Sequence, residues 1–235
     1  MSLIKAFIGN LKDIKKTVVV SPVFYPNKFG LKGERTPVGN IIVHSSFSYI
    51  KTYPSSCWIY DTVLCLKKTK AEKIIFIGTA GALSNKLKIG DIVTAKNKYG
   101  LLRSNALAMT PSASNVIASR RRSNPRNNLK NIPLASVKSF NSLLDETKEN
   151  LKKFTPASPP LNKGGMAEGY DAVDLETESF YKACKEIKKE GLAILVIQDK
   201  PLSKPFYKPL SQKDDERLRD GIIRLFEICK NLSNI

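Results

Sequence analysis

Seven short apolar runs rich in Val and Ile recur along the chain, at Thr17–Val23, Asn40–Val43, Lys73–Ile77, Asp91–Ala95, Ile132–Val137, Ala172–Leu175 and Leu192–Ile197. Runs of this length, apolar on both faces, are what strands buried between two layers require. Helix-like stretches separate them at Ser55–Lys68, Leu143–Phe154, Thr177–Lys189 and Gln212–Leu232. Strands alternating with helices restrict the chain to a layered α/β architecture. We therefore expect a single α/β domain over residues 1–235, with a central mixed, largely parallel β-sheet flanked by helices. The last helix is the clearest case. Leu218, Ile222, Leu225, Phe226 and Cys229 repeat at helical spacing, charged residues fill the other face, and Ser211 stands as an N-cap before an acidic first turn.

Two stretches break the alternation. Residues 99–131 are polar and irregular and carry Arg120, Arg121 and Arg122, while residues 155–165 read TPASPPLNKGG, in which prolines and glycines prevent regular pairing. Both are expected to be irregular insertions.

Charge narrows the partners without choosing one. Lys and Arg total 39 against 21 Asp and Glu, a formal charge of +18, which attracts phosphates, nucleic acids or acidic surfaces. The basic residues are dispersed and no nucleic-acid-binding motif accompanies them, so a solvated lysine-rich surface is the simpler reading and a nucleic-acid partner is not expected. Cys57, Cys65, Cys184 and Cys229 form no CxxC pair, and His44 is the only histidine, so no metal site is expected. No apolar stretch reaches spanning length and the N-terminus lacks a signal-peptide pattern, which places the expected protein in the cytoplasm, away from membranes.

Chemistry concentrates in three segments. The first, KIIFIGTAGAL from Lys73 to Leu83, reads as a buried strand entering a small-residue turn, with Gly78 and Gly81 allowing close backbone approach; Gly90-Asp91 follows. The second, Asp171 to Ser179, is a strand that enters a helix with Glu176 at the junction. The third, Leu195 to Lys200, places Asp199 at a strand end. An isolated acid in such a place is more often a cap or a solvated residue, but three segments in this order argue together.

Together they resemble the nucleoside phosphorylase superfamily, which includes purine nucleoside phosphorylases, uridine phosphorylases and methylthioadenosine/S-adenosylhomocysteine nucleosidases. The family's Gly-Ser/Thr-Ala/Cys-Gly segment and the Gly-Asp after it correspond to Gly78, Thr79, Ala80 and Gly81 and to Gly90-Asp91; its Met-Glu pair to Leu175-Glu176; its Ser-Asp to Gln198-Asp199. The resemblance implies cleavage of an N-glycosidic bond in a nucleoside or nucleoside-like compound, by phosphorolysis or hydrolysis. Glu176 would accept hydrogen bonds from the ribose hydroxyls, Asp199 would be the acid, and Leu175, Thr79, Gly78 and Gly81 would line the ligand. Phe140 would place its ring against the base, an ordinary core phenylalanine being the equal alternative. The resemblance also implies a homo-oligomer, a nucleoside partner and no cofactor beyond phosphate as a co-substrate.

Departures from the pattern leave the acceptor open. Phe76 stands where hexameric phosphorylases carry a phosphate-binding arginine, Val20–Pro26 offers neither a Gly-rich turn nor the nucleosidase glutamate, and His44–Ile50 replaces the Gly-Ile-Gly element expected before the first long helix. A different lysine or arginine, such as Lys28, Lys32 or Arg35, could supply phosphate binding after a local rearrangement, with the Thr79 hydroxyl in support. A nucleoside-binding protein that has lost turnover is the alternative these departures suggest.

Overall fold

A computed structural model describes residues 2–96, 132–140, 142–155 and 169–233. The expected insertions near 99–131 and 155–165 lie outside the described residues, apart from Thr155.

Ten strands form one mixed sheet among the described residues. They are β1 (Thr17–Ser21), β2 (Glu34–Arg35), β3 (Ile41–His44), β4 (Ser48–Lys51), β5 (Lys73–Ala82), β6 (Ile92–Ala95), β7 (Leu134–Ala135), β8 (Val137–Ser139), β9 (Ala172–Asp174) and β10 (Glu190–Asp199). The central order β4-β1-β5-β10 is parallel throughout. β3 and β2 extend it antiparallel beyond β4, and β6 pairs antiparallel with β10. Beyond the end of β1, β9 pairs antiparallel with the last residues of β5, and β8 lies parallel to β9.

Helices cover both faces. One face of the sheet, with Val18, Val20, Ile74 and Phe76, packs against α2 (Ser56–Cys65) and α4 (Thr177–Ile187) through Ile59, Val63, Phe180 and Cys184. The other face, with Val19, Ile75, Ile77, Ile194 and Val196, packs against α5 (Gln212–Ser233) through Leu225, Phe226 and Cys229. The sheet is thus apolar on both sides, as its sequence runs require. Two shorter helices, α1 (Leu3–Ile8) and α3 (Lys148–Phe154), complete the described elements of this type.

The structure corrects the reading of Gly78–Gly81. These residues form no turn: β5 continues through Ala82, with Gly78 opposite Leu195 and Gly81 opposite Asp199 on β10. Neither glycine has the positive φ that a tight turn would demand. A Cβ at Gly81 would lie 2.5 Å from Cγ of Pro201 and 2.8 Å from Oδ1 of Asp199, so the missing side chain serves close approach. The His44–Ile50 segment belongs to the β3–β4 hairpin, and Thr52–Ser55 is what precedes the first long helix. No helix among the described residues is long and apolar enough to cross a membrane.

Candidate active site

The parallel strands β4, β1, β5 and β10 all point their carboxyl ends to one edge, where open α/β sheets receive ligands. Asp199 is the last residue of β10, and the register with β5 shifts between Ile197 and Asp199, so the strand bulges as it delivers the carboxylate beside Gly81. Asp199 is only 6% exposed, and its Oδ2 accepts a 2.9 Å hydrogen bond from the Phe206 amide. Burial raises its pKa to about 6, against the smaller opposing pull of that bond.

Glu176 comes from the opposite flank of β5. β9 is antiparallel to β5, with Val173 opposite Gly81, so the chain leaving β9 at Asp174 heads back toward Gly78 and brings Leu175 and Glu176 over the carboxyl end of β1. Four hydrogen bonds fix this passage. Asp174 accepts bonds from the Ser139 hydroxyl at 2.6 Å, from the Thr177 amide at 2.9 Å and from the Thr177 hydroxyl, which anchors the start of α4. The Leu175 carbonyl accepts from the Ser56 hydroxyl at the start of α2. Glu176 is 8% exposed and makes no capping bond to α4 from its side chain. Burial, and then the neighbouring Asp174, raise its pKa to about 7.

A further carboxylate joins them that the sequence did not single out. Glu146, between β8 and α3, has its pKa raised to about 7 by burial, then by Asp199 and Asp174. It stands just before Thr147, whose hydroxyl caps α3 by accepting from the Asn150 amide at 3.2 Å, so locally it reads as an ordinary helix-start acid. Only the folding of the β8–α3 connection toward β9 and β10 distinguishes it.

The raised values carry a stability consequence with a defined sign. A carboxyl whose folded pKa exceeds its ordinary value of about 4 holds its proton more tightly when folded, so its contribution is full at low pH and is lost as pH rises through about 7. Glu146→Gln mimics the protonated form. Melting temperatures across about pH 5 to 8 should show the variant gaining on the wild type as pH rises. A difference that stays constant with pH would mean that Glu146 does not face Asp199 and Asp174 as a buried acid.

The remaining expected ligands are placed as follows. Thr79 is half-buried on β5, on the α5 side of the sheet shared with Ile75, Ile77 and Gly81, and Gly78 is backed by the Phe76 ring and Leu195. Phe140 is buried in a small cluster with Leu83, Leu151 and Val173, against which Leu175 packs; its ring meets Phe154 edge-on at 5.7 Å. It borders a shallow depression of about 300 Å³, together with Lys138, Ser139, Asp145, Asn150 and Phe154, a lining that contains neither Glu176 nor Asp199. Phe140 is therefore a core residue at the margin, while Gly81, Asp199 and Glu176 converge on the end of β5. Phe76 stacks on Phe180 inside the core, and Lys28, Lys32 and Arg35 are all exposed. Among the described residues no cluster of metal-ligating side chains is present.

Comparison with known proteins supplies an independent finding. A model of the phosphorylase superfamily matches residues 54–230. The fold is similar to that of a purine nucleoside phosphorylase from Toxoplasma gondii, with a TM-score of 0.59 and 16% identity over 94% of this chain and 93% of that one. It is similar to a 5'-methylthioadenosine/S-adenosyl homocysteine nucleosidase from Campylobacter jejuni, with a TM-score of 0.58 and 14% identity over 94% and 100% of the two chains. An AMP nucleosidase from Bacteroides thetaiotaomicron gives a TM-score of 0.55 and 19% identity over 97% and 95%. No curated protein sequence matches the chain.

Proposed function

The chain belongs to the phosphorylase superfamily, and on that premise we propose that it is an enzyme cleaving the N-glycosidic bond of a nucleoside or nucleoside-like compound. The observation that carries this reading is the meeting of Asp199 with Gly81 at the end of β5, where β9 brings in Glu176 from the other flank. Breaking the bond leaves positive charge on the sugar and negative charge on the departing base. A cleft with one acid able to give a proton and another able to hold the sugar answers both demands.

Asp199 suits the first task. With its pKa raised to about 6, roughly a tenth remains protonated at pH 7, far more than for an ordinary carboxyl, and that proton is available to a ring nitrogen of the leaving base. Glu176 suits the second. Burial and Asp174 raise its pKa to about 7; ribose hydroxyls donating to the carboxylate, and the developing sugar cation, both favour the charged form and draw it toward ionisation. The Gly81 gap leaves no side chain between β5 and the Asp199 carboxylate.

Self-assembly, a nucleoside as the small-molecule partner, placement in the cytoplasm, and the absence of any cofactor other than phosphate as a co-substrate belong to the same proposal. Light scattering tests the first of these directly.

Glu176→Gln tests the sugar role. The amide keeps the shape and one acceptor but loses the charge, so nucleoside affinity and rate of base release should both fall, each by about tenfold or more, since charge-assisted bonds are worth about 1.5–3 kcal/mol. Binding of the free base should be spared. Calorimetry with a nucleoside and with its base, beside an assay of base release, measures both. Equal losses for the base and the nucleoside would remove Glu176 from the sugar subsite. Tight nucleoside binding by the wild type with no base released, with or without phosphate, would leave a binding protein in place of an enzyme.

A further inference from the structure

Lys51 is the last residue of β4 and is 7% exposed, at the same edge of the sheet as the candidate site. It pairs in register with Ser21, the last residue of β1. Its ammonium donates to the Thr52 carbonyl at 2.6 Å and lies 4.6 Å from the centre of the Tyr25 ring. No carboxylate among the described residues pairs with it. A lysine ammonium carries three donors, and a buried cation without an anion is costly unless something else requires it. One carbonyl and one ring face leave part of that demand unmet.

Its position relates it to the site. Lys51 lies on the face of the sheet that carries Tyr49 and Val19, the face to which Ile77, Thr79 and Gly81 also belong on β5. Directly after it the chain passes through Thr52 to Ser56, whose hydroxyl holds the Leu175 carbonyl and so the passage that delivers Glu176. Lys51 thus stands at the same carboxyl edge of the sheet as Glu176 and Asp199, on the face that Thr79 and Gly81 share, a cation with no acid of its own among the described residues.

We propose that Lys51 is the phosphoryl-binding residue of this site, its ammonium holding phosphate oxygens at the carboxyl ends of β1 and β4 under the Tyr25 ring. The proposal rests on the glycosidic reading for the identity of the rest of the ligand. It explains how a chain with Phe76 turned into the core, and with Lys28, Lys32 and Arg35 all exposed, would still hold a phosphoryl group. Burial also lowers the pKa of Lys51, a shift that an incoming anion would reverse.

The phosphoryl group has two sources. As inorganic phosphate it is the acceptor: one of its oxygens bonds to the anomeric carbon as the C–N bond breaks, the bonding pair leaves with the base, and Asp199 gives the base a proton that phosphate monoanion restores. The products are free base and sugar 1-phosphate. As the phosphate of a nucleoside monophosphate it is a handle on the substrate, and water takes the acceptor's place, giving free base and the sugar phosphate.

The test uses the full chain, Lys51→Met and Lys51→Arg. Methionine has similar length and removes a buried charge, so folding should hold, which melting temperature without ligand confirms. Calorimetry with inorganic phosphate and with a nucleoside 5'-monophosphate should show the wild type binding at least one of them, Lys51→Met binding it about tenfold or more weakly, and Lys51→Arg retaining most of the affinity. Base release from a nucleoside that requires added phosphate identifies the first source. Release from the monophosphate in phosphate-free buffer, with added phosphate as inhibitor, identifies the second. Wild type that binds neither probe, or Lys51→Met that binds them as well as wild type, overturns the proposal. Base released equally by wild type and Lys51→Met without any phosphate leaves the glycosidic reading standing and the Lys51 role refuted. Lys51-dependent binding with no base released does the reverse.

Discussion

Asp199→Asn should lower base release by about two to four orders of magnitude, the usual range for loss of a positioned general acid, while leaving nucleoside binding largely in place. The asparagine side chain has the same shape, and its amide oxygen can still accept from the Phe206 amide, so the bulge that ends β10 should survive. What disappears is the proton. The pH dependence supplies a second readout. Because burial raises the pKa of Asp199 to about 6, its acid form is complete at lower pH and declines as pH rises through that value. Wild-type turnover should therefore fall on that limb, and the residual rate of the variant should lose the limb. Turnover in Asp199→Asn within a few fold of wild type would show that the proton reaches the base by another route.

Gly90→Ala should be the most destabilising single-methyl change at a described glycine, costing about 3 kcal/mol or more. Two effects add. Gly90 has a φ of 87°, where a side chain is strained, and a Cβ there would lie 2.2 Å from the Arg217 carbonyl oxygen on α5. The obstruction is backbone, held in turn by Gly221, whose own missing side chain lets α5 approach the Gly90 carbonyl. Arg224 also donates to that carbonyl at 3.2 Å. Gly30→Ala is the control, since Gly30 has a φ of 70° but open space around it. It should lose only the conformational part, about 1 kcal/mol. Chemical denaturation of both variants separates strain from contact, and equal losses would show that α5 moves aside freely.

Gly90 also shows how a motif can be legible while its reason is not. Gly90-Asp91 stands out in the sequence beside Gly78–Gly81, and a ligand turn is the natural local interpretation of both. In the fold, Gly90 serves helix packing, Gly81 makes room for Pro201 and Asp199, and Asp91 Oδ2 accepts from the Lys88 amide at 2.8 Å to close the turn. Small residues announce close approach, but the approaching group comes from elsewhere in the chain.

Periodicity alone carried the layered α/β class, the long C-terminal helix and most of the strands, because burial on both faces or on one stripe imposes a pattern on adjacent residues. β4 escaped it: Ser48–Lys51 contains a lysine and a serine, and reads as a polar hairpin arm although all four residues are buried. Asp199 and Glu176 were legible as acids at strand ends, and their order along the chain resembled a known family. Glu146 and Lys51 were not legible, since a helix-start glutamate and a strand-end lysine are common on surfaces. What made them exceptional is desolvation and the neighbours that the crossovers between β4, β8, β9 and β10 bring to one edge of the sheet. Local pattern determines which residues are buried in strands and helices; charge and proton affinity depend on what else is buried beside them, and only the tertiary structure decides that.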